Sequence, residues 1–187
     1  AFLKKELLPF ADNYLLWWVK HWSRDSEGKL HMYPSYACES FWECTNPTPD
    51  VAGLMWDIDR LLVLTDEEIG ADRRTRWATL RKAIPSIPIS EIDGHPTLAP
   101  AEGKLPKRTN VENPELYAVF PFRIYGVGKP ELDIASRTFE RRGVKGNAGW
   151  SQDETQAAYL GLAQTAREFL AGRAKSKHDA SRFPAFW

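Results

Sequence analysis

Two carboxylates, Glu39 and Glu43, stand in the stretch Tyr33-Pro-Ser-Tyr-Ala-Cys-Glu-Ser-Phe-Trp-Glu-Cys-Thr-Asn46, crowded by Tyr36, Phe41 and Trp42 between prolines 34 and 47. A carboxyl beside aromatic rings loses hydration, holds its proton more tightly and can act as a proton donor. The plainer reading is a packed connector whose rings fill core and whose carboxylates face water, and composition alone favours it. Cys38 and Cys44 are the only two cysteines. They lack CxxC spacing and a histidine partner, so the metal signal is weak; a short-loop disulfide and two free, half-buried thiols both remain open. His31 reads as a structural histidine rather than a catalyst. Nothing in the sequence calls for a metal or cofactor.

The elements that must position these groups read mostly as helices. Apolar residues from Pro9 to Trp22 recur at three and four spacing, with Pro9 suited to a first turn, and Phe2 to Leu8 extends this helix. Ser23 to Lys29 reads as a polar turn, and Leu30 to Tyr33 as a short extended piece. Thr48-Pro49-Asp50 has the form of an N-cap, a first-turn proline and a dipole-favoured acid. The helix that follows carries Val51, Leu54, Met55, Ile58, Leu61, Leu62 and Leu64. Thr65 to Glu68 is a capping-box sequence opening a return helix that ends at Pro85. Together they predict an αα-hairpin.

From Pro85 to Glu112 no period is sustained, and a loop of that length is often functional. Short helices are expected after Asn113 and Pro130. Ser151 to Glu154 is a second capping-box sequence, heading a helix that runs to Gly172. The tail ends in Arg182-Phe-Pro-Ala-Phe-Trp187 and reads as cut from something longer. The expected fold class is therefore all-α, a single domain of helical hairpins.

The 187 residues can bury a proper core. Charge is balanced, 25 basic against 25 acidic residues, which argues against nucleic acid or an anionic membrane as partner. No apolar run approaches the roughly 18 residues of a membrane span, and the N-terminus lacks a signal-peptide pattern. Eight tryptophans are many for this length. They suit core or interface, and equally the stacking surfaces of a carbohydrate site.

Three loop motifs resemble glycoside hydrolase family 95, the inverting α-L-fucosidases. Pro34-Ser-Tyr-Ala-Cys-Glu39 resembles that family's Pro-Ser-x-Ser-Pro-Glu-Asn, Leu116-Tyr-Ala-Val-Phe-Pro121 its Leu-Tyr-x-Leu-Tyr-Pro, and Arg142-Gly143 through Gly149-Trp150-Ser151 its Arg-Gly…Gly-Trp-Ser turn. They occur in the family's order across residues 33 to 170. The resemblance implies part of an (α/α)6 toroid, of which this chain would be about the second half. The rest of the catalytic domain is then its partner. It also implies an extracytoplasmic setting and an oligo- or polysaccharide substrate with a non-reducing-end sugar such as fucose.

By the same resemblance Glu39 falls on the general acid. An inverting enzyme needs a second carboxylate about 6.5–9.5 Å away to activate water. The family's Asp-Gly-Asn motif supplies it after the Gly-Trp-Ser helix, and no such motif occurs here before Trp187. The chain alone is thus expected to lack its catalytic base. Ser35, Asn46, Glu102, Glu112, Asn113, Trp150 and Gln152 are the expected substrate contacts. Glu112 and Glu115 stand where the family has pocket histidines, which points to a sugar other than fucose. Ser40 replaces the family's asparagine after the acid. The alternatives are a non-catalytic carbohydrate-binding or structural domain and, last, a helical epimerase or lyase using His and Tyr.

Overall fold

The computed structural model describes residues 1–146 and 149–175. A π-helical turn, Leu3–Leu7, runs straight into α1, Leu8–His21. Leu8, Ala11, Leu15 and Trp18 form its buried stripe, while Phe10 and Trp17 of the expected apolar face lie outside it and are exposed. Strands β1 (Ser23–Arg24) and β2 (Leu30–His31) pair around the polar turn, where the Asp25 carboxylate accepts the N–H groups of Glu27 and Lys29. Strands β3 (Ser35–Ala37) and β4 (Phe41–Cys44) form a second hairpin out of the carboxylate-bearing stretch.

Helix α2, Thr48–Leu61, supplies the centre of the core through Val51, Ala52, Leu54, Met55 and Ile58. Thr48 does not cap it. Its buried hydroxyl donates to the Ala99 carbonyl at 2.5 Å, tying the helix start to the segment after β6. At Gly53 the chain passes close under Phe122: a Cβ there would lie 3.0 Å from Cζ, and the ring would have to give by a few tenths of an ångström. The Thr65–Glu68 capping box does form, with Glu68 Oε2 accepting the Thr65 N–H at 2.7 Å. It heads only the single turn α3, Asp66–Ile69. Gly70, at φ 82°, breaks the chain, and α4, Ala71–Ala83, follows. Arg81 pairs with Asp59 at 2.8 Å and Arg74 reaches the Leu62 carbonyl, so α4 returns antiparallel to α2.

The all-α expectation is corrected by this structure. Helix accounts for 50% of residues and strand for 12%, and the described residues hold three small antiparallel sheets, so the class is mixed α and β. The part-toroid architecture expected from the resemblance falls with it. The physical reason is strand length: two to four residues are too few for a period-two signal to stand out. The third hairpin lies inside the stretch that reads as irregular. Strands β5 (Ile89–Ile92) and β6 (His95–Leu98) are joined by Asp93-Gly94, both at positive φ, the turn chemistry a two-residue hairpin prefers.

After a 3₁₀ turn at Pro114–Ala118 packed on α2, helix α5 spans Leu132–Arg141. Thr138 Oγ1 on α5 accepts the Leu98 N–H at 2.8 Å and so fixes that helix to β6. The last expected helix is two. Gly161, at φ 78°, separates α6 (Asp153–Tyr159) from α7 (Ala163–Lys175). The second capping box, unlike the first, does not form: Ser151 Oγ donates to the Gly146 carbonyl and Glu154 accepts from Arg173. The aromatic tail, Arg182 to Trp187, lies outside the described residues. A small second core of Ala37, Phe41, Cys44 and Ala101 sits under the β3–β4 hairpin.

Candidate functional site

The β3–β4 hairpin alternates sides irregularly. Ser35, Ala37, Phe41 and Cys44 point inward, while Tyr36 and the consecutive pair Trp42–Glu43 point outward. The two-for-one mismatch is a register shift between Ser35 and Ala37, and Glu43 takes it up at φ 55°. Cys38 at the turn is also left-handed, φ 53°. Such backbone costs a non-glycine residue about 1–2 kcal/mol. It is sustained here by the segment 102–112, which lies along the hairpin. Thr109 donates its N–H to the Ser40 carbonyl at 2.9 Å and its hydroxyl to the Glu39 carbonyl at 2.5 Å. Arg108 stacks over Phe41, 4.7 Å from the ring centroid.

Glu39 occupies the tip of that turn. Its N–H donates to Glu112 Oε2 at 3.0 Å, and its own carboxylate accepts from Asn110 Nδ2 at 2.8 Å. The side chain is exposed, so the apolar enclosure expected of a proton donor is not built by this chain alone. Ser40, fully buried, donates to the Glu112 carbonyl at 3.1 Å. Beyond Glu112 opens a narrow crevice of about 20 Å³, room for one water. Four expected contacts line it together: Glu112, Asn113, Trp150 and Gln152. Tyr117 and Gln156 line it as well.

Not every expected residue belongs there. Asn46 and Glu102 bond each other at 2.5 Å beside the Thr45–Glu102 bridge, and Asn46 also clasps Met32 through its side chain. Both are structural ties. Ser35 donates to Asp50 at 3.0 Å beneath the hairpin. Asn113 lines the crevice but spends both side-chain atoms on the Val144 backbone, at 2.9 and 3.1 Å. Trp150 remains 67% exposed at the mouth.

Burial sets the electrostatics. It pushes the Cys38 thiol up to about 12 and raises Tyr117 further above its ordinary range, the two groups being hydrogen-bonded to each other. Gln152 bonds Tyr117 from the other side. Both cysteines are free thiols, and burial disfavours the Cys38 thiolate that a nucleophile needs. Burial also raises Asp50, against the pull of Ser35. The sharpest case is Glu115: burial takes it to about 6 despite Arg108 and Arg142, and its Oε2 has no hydrogen-bond partner. Gln152 Oε1 and Gln156 Oε1 are likewise buried without partners. One crevice wall is held by Arg142, which donates twice to Asp153, at 3.0 and 2.6 Å.

A raised carboxyl makes stability pH-dependent. The unfolded chain releases the Glu115 proton near its ordinary 4.5, the folded one only near 6. The contribution is whole below 4.5 and is lost as pH rises through 6, by about 2 kcal/mol. Asp50 and Asp57 act in the same sense. Urea unfolding of E115Q across pH 4 to 8 should therefore show a flatter profile than the parent, with a gain above pH 6.

Sequence reasoning passed over Arg108, Arg142, Asp153 and Gln156. Gln156 sits one helical turn after Gln152, so four-residue spacing would have found it. The long reach of Arg108 and Arg142 left no local signal. A larger groove of about 610 Å³ between α1 and α4, floored by Leu15, Val19, Trp77 and Leu80, carries no cluster of reactive groups. No helix among the described residues is long and apolar enough to cross a membrane. No family model and no curated protein matches this chain.

Proposed function

We propose that this chain carries the proton-donating side of an inverting glycoside hydrolase site, with Glu39 as general acid toward a non-reducing-end sugar such as fucose or a related glycoside. The observation that carries the reading is the convergence of Glu112, Asn113, Trp150 and Gln152 on one crevice, with the Glu39 turn bonded to its edge. Geometry precedes acidity in choosing a donor. Glu39 is reachable from solvent, whereas Glu115 is buried.

The proton passes from Glu39 to the leaving oxygen as the glycosidic bond breaks, and water adds to the anomeric carbon from the opposite face. Glu112 is committed to the Glu39 N–H and Asp153 to Arg142. By the resemblance, the water-activating base falls in the segment that follows the Gly-Trp-Ser helix. The test is hydrolysis of aryl glycosides and fucosylated oligosaccharides by the full-length protein, with the product anomer followed by NMR. Inversion supports the proposal; retention, or no turnover of any glycoside, overturns it. A non-catalytic carbohydrate-binding domain is the second reading, favoured by the exposed, Asn110-bonded state of Glu39. Binding without turnover decides for it.

A further inference from the structure

We infer that the outward face of the β3–β4 hairpin is a saccharide platform, with Tyr36 and Trp42 taking the C–H face of a pyranose and Glu39 and Glu43 accepting its hydroxyls. The inference deepens the glycosidase reading by naming the surface that holds sugar beside the proposed acid.

Tyr36 and Trp42 are 59% and 55% exposed, with ring centroids 5.8 Å apart and planes tilted by 60°. They form an open V rather than a flat patch. The register shift that turns Trp42 and Glu43 outward together rests on left-handed backbone at Glu43. Such outliers point toward function when the surroundings enforce them. The indole does not need to be ordered on binding, because Trp42 Nε1 already donates to the Glu39 carbonyl at 3.0 Å. Preformed surfaces lose less entropy when they engage a ligand.

That same hydrogen bond selects the ligand. With the indole donor committed inside the hairpin and Asn110 Nδ2 bonded to Glu39, the face presents ring faces, carboxylate acceptors and the Tyr36 hydroxyl. A proline-rich peptide, which docks in aromatic grooves through its carbonyls as well as its rings, finds the indole donor already spent inside the hairpin. A quaternary ammonium needs rings that desolvate it, and two half-exposed rings do not enclose one. A protein partner would meet two glutamates where interface cores are depleted of them. A sugar offers polarised C–H groups to the negative ring faces and O–H donors to the carboxylates, so it matches both.

The test is isothermal titration calorimetry of the full chain with cellopentaose, xylopentaose, mannopentaose and 2′-fucosyllactose. At least one should bind, and W42A should weaken it about tenfold or more, equivalent to about 1.4 kcal/mol. W42F should bind within a few-fold of the parent. W17A, which removes an exposed tryptophan of α1, should leave affinity unchanged. Y36A, read the same way, serves if W42A does not fold. No heat with any saccharide, equal affinity of W42A and parent, or tighter binding of choline or a proline-rich decapeptide than of every saccharide overturns the platform. Binding without hydrolysis leaves it standing and removes the acid role of Glu39. Hydrolysis indifferent to W42A does the reverse.

Discussion

E39Q is expected to lower kcat of the full-length protein on a natural glycoside by about 10²–10⁴-fold, the range that a positioned general acid contributes. Glutamine keeps the shape of the side chain and can still meet Asn110 and the neighbouring backbone, so folding should be preserved. It cannot deliver a proton to the leaving oxygen. The loss should shrink toward parity on a glycosyl fluoride or nitrophenyl glycoside, whose leaving group departs with little protonation. That contrast separates a proton donor from a residue that merely positions substrate, whose removal would penalise both substrates alike. Parental rates of E39Q on both substrates would end the acid role. An equal loss on both would move Glu39 to a binding role.

The largest stability effect is expected at Arg142. Its guanidinium, 7% exposed, forks onto Asp153, 2% exposed, donates to the Phe139 carbonyl and lies 3.9 Å above the Phe139 ring. R142A leaves Asp153 charged, buried and unpaired. Breaking a buried pair from one side costs about 3–5 kcal/mol. For a chain of this size, that lowers the melting temperature on the order of 10 °C. The double variant R142M/D153N should recover part of the loss, because it removes both charges rather than one. Thermal unfolding by circular dichroism checks this, and an R142A transition within about a degree of the parent would show that the pair contributes little. The same change should loosen the crevice, since Gly146 and Asp153 both line it and Gly146 N–H donates to Asp153 at 3.4 Å.

The parts of this protein that could be read directly are those whose signals are local. The extent of α1, the stripe of α2, the Thr65–Glu68 box and the return of α4 follow from periodicity and capping within a few residues. The helix breaks at Gly70 and Gly161 were visible as glycines, but both long apolar patterns continued across them and concealed them. The three hairpins were missed because strands of two to four residues leave no period, although Asp93-Gly94 carried the turn signal for one. Thr48 and Ser151 show the opposite failure: each reads as a cap, but Thr48 is already the first residue of α2, and Ser151 Oγ accepts the Asp153 N–H at 3.4 Å without closing a box with Glu154.

Glu39, Glu112, Trp150 and Gln152 entered as candidates through the loop resemblance; by itself the sequence determined the helical scaffold and the single polar loop rich in aromatics and carboxylates. Those depend on residue type and short spacing, which the chain carries in itself. Only the tertiary structure decided that Asn46 and Glu102 are ties, that Glu115 is buried while Glu39 is exposed, and that Tyr36 and Trp42 share one outward face. Such outcomes turn on which groups lose water and which partners meet across about 30 to 75 residues of chain, as Glu39 and Glu112 do. Desolvation and long-range pairing are properties of packing, and no local pattern encodes them.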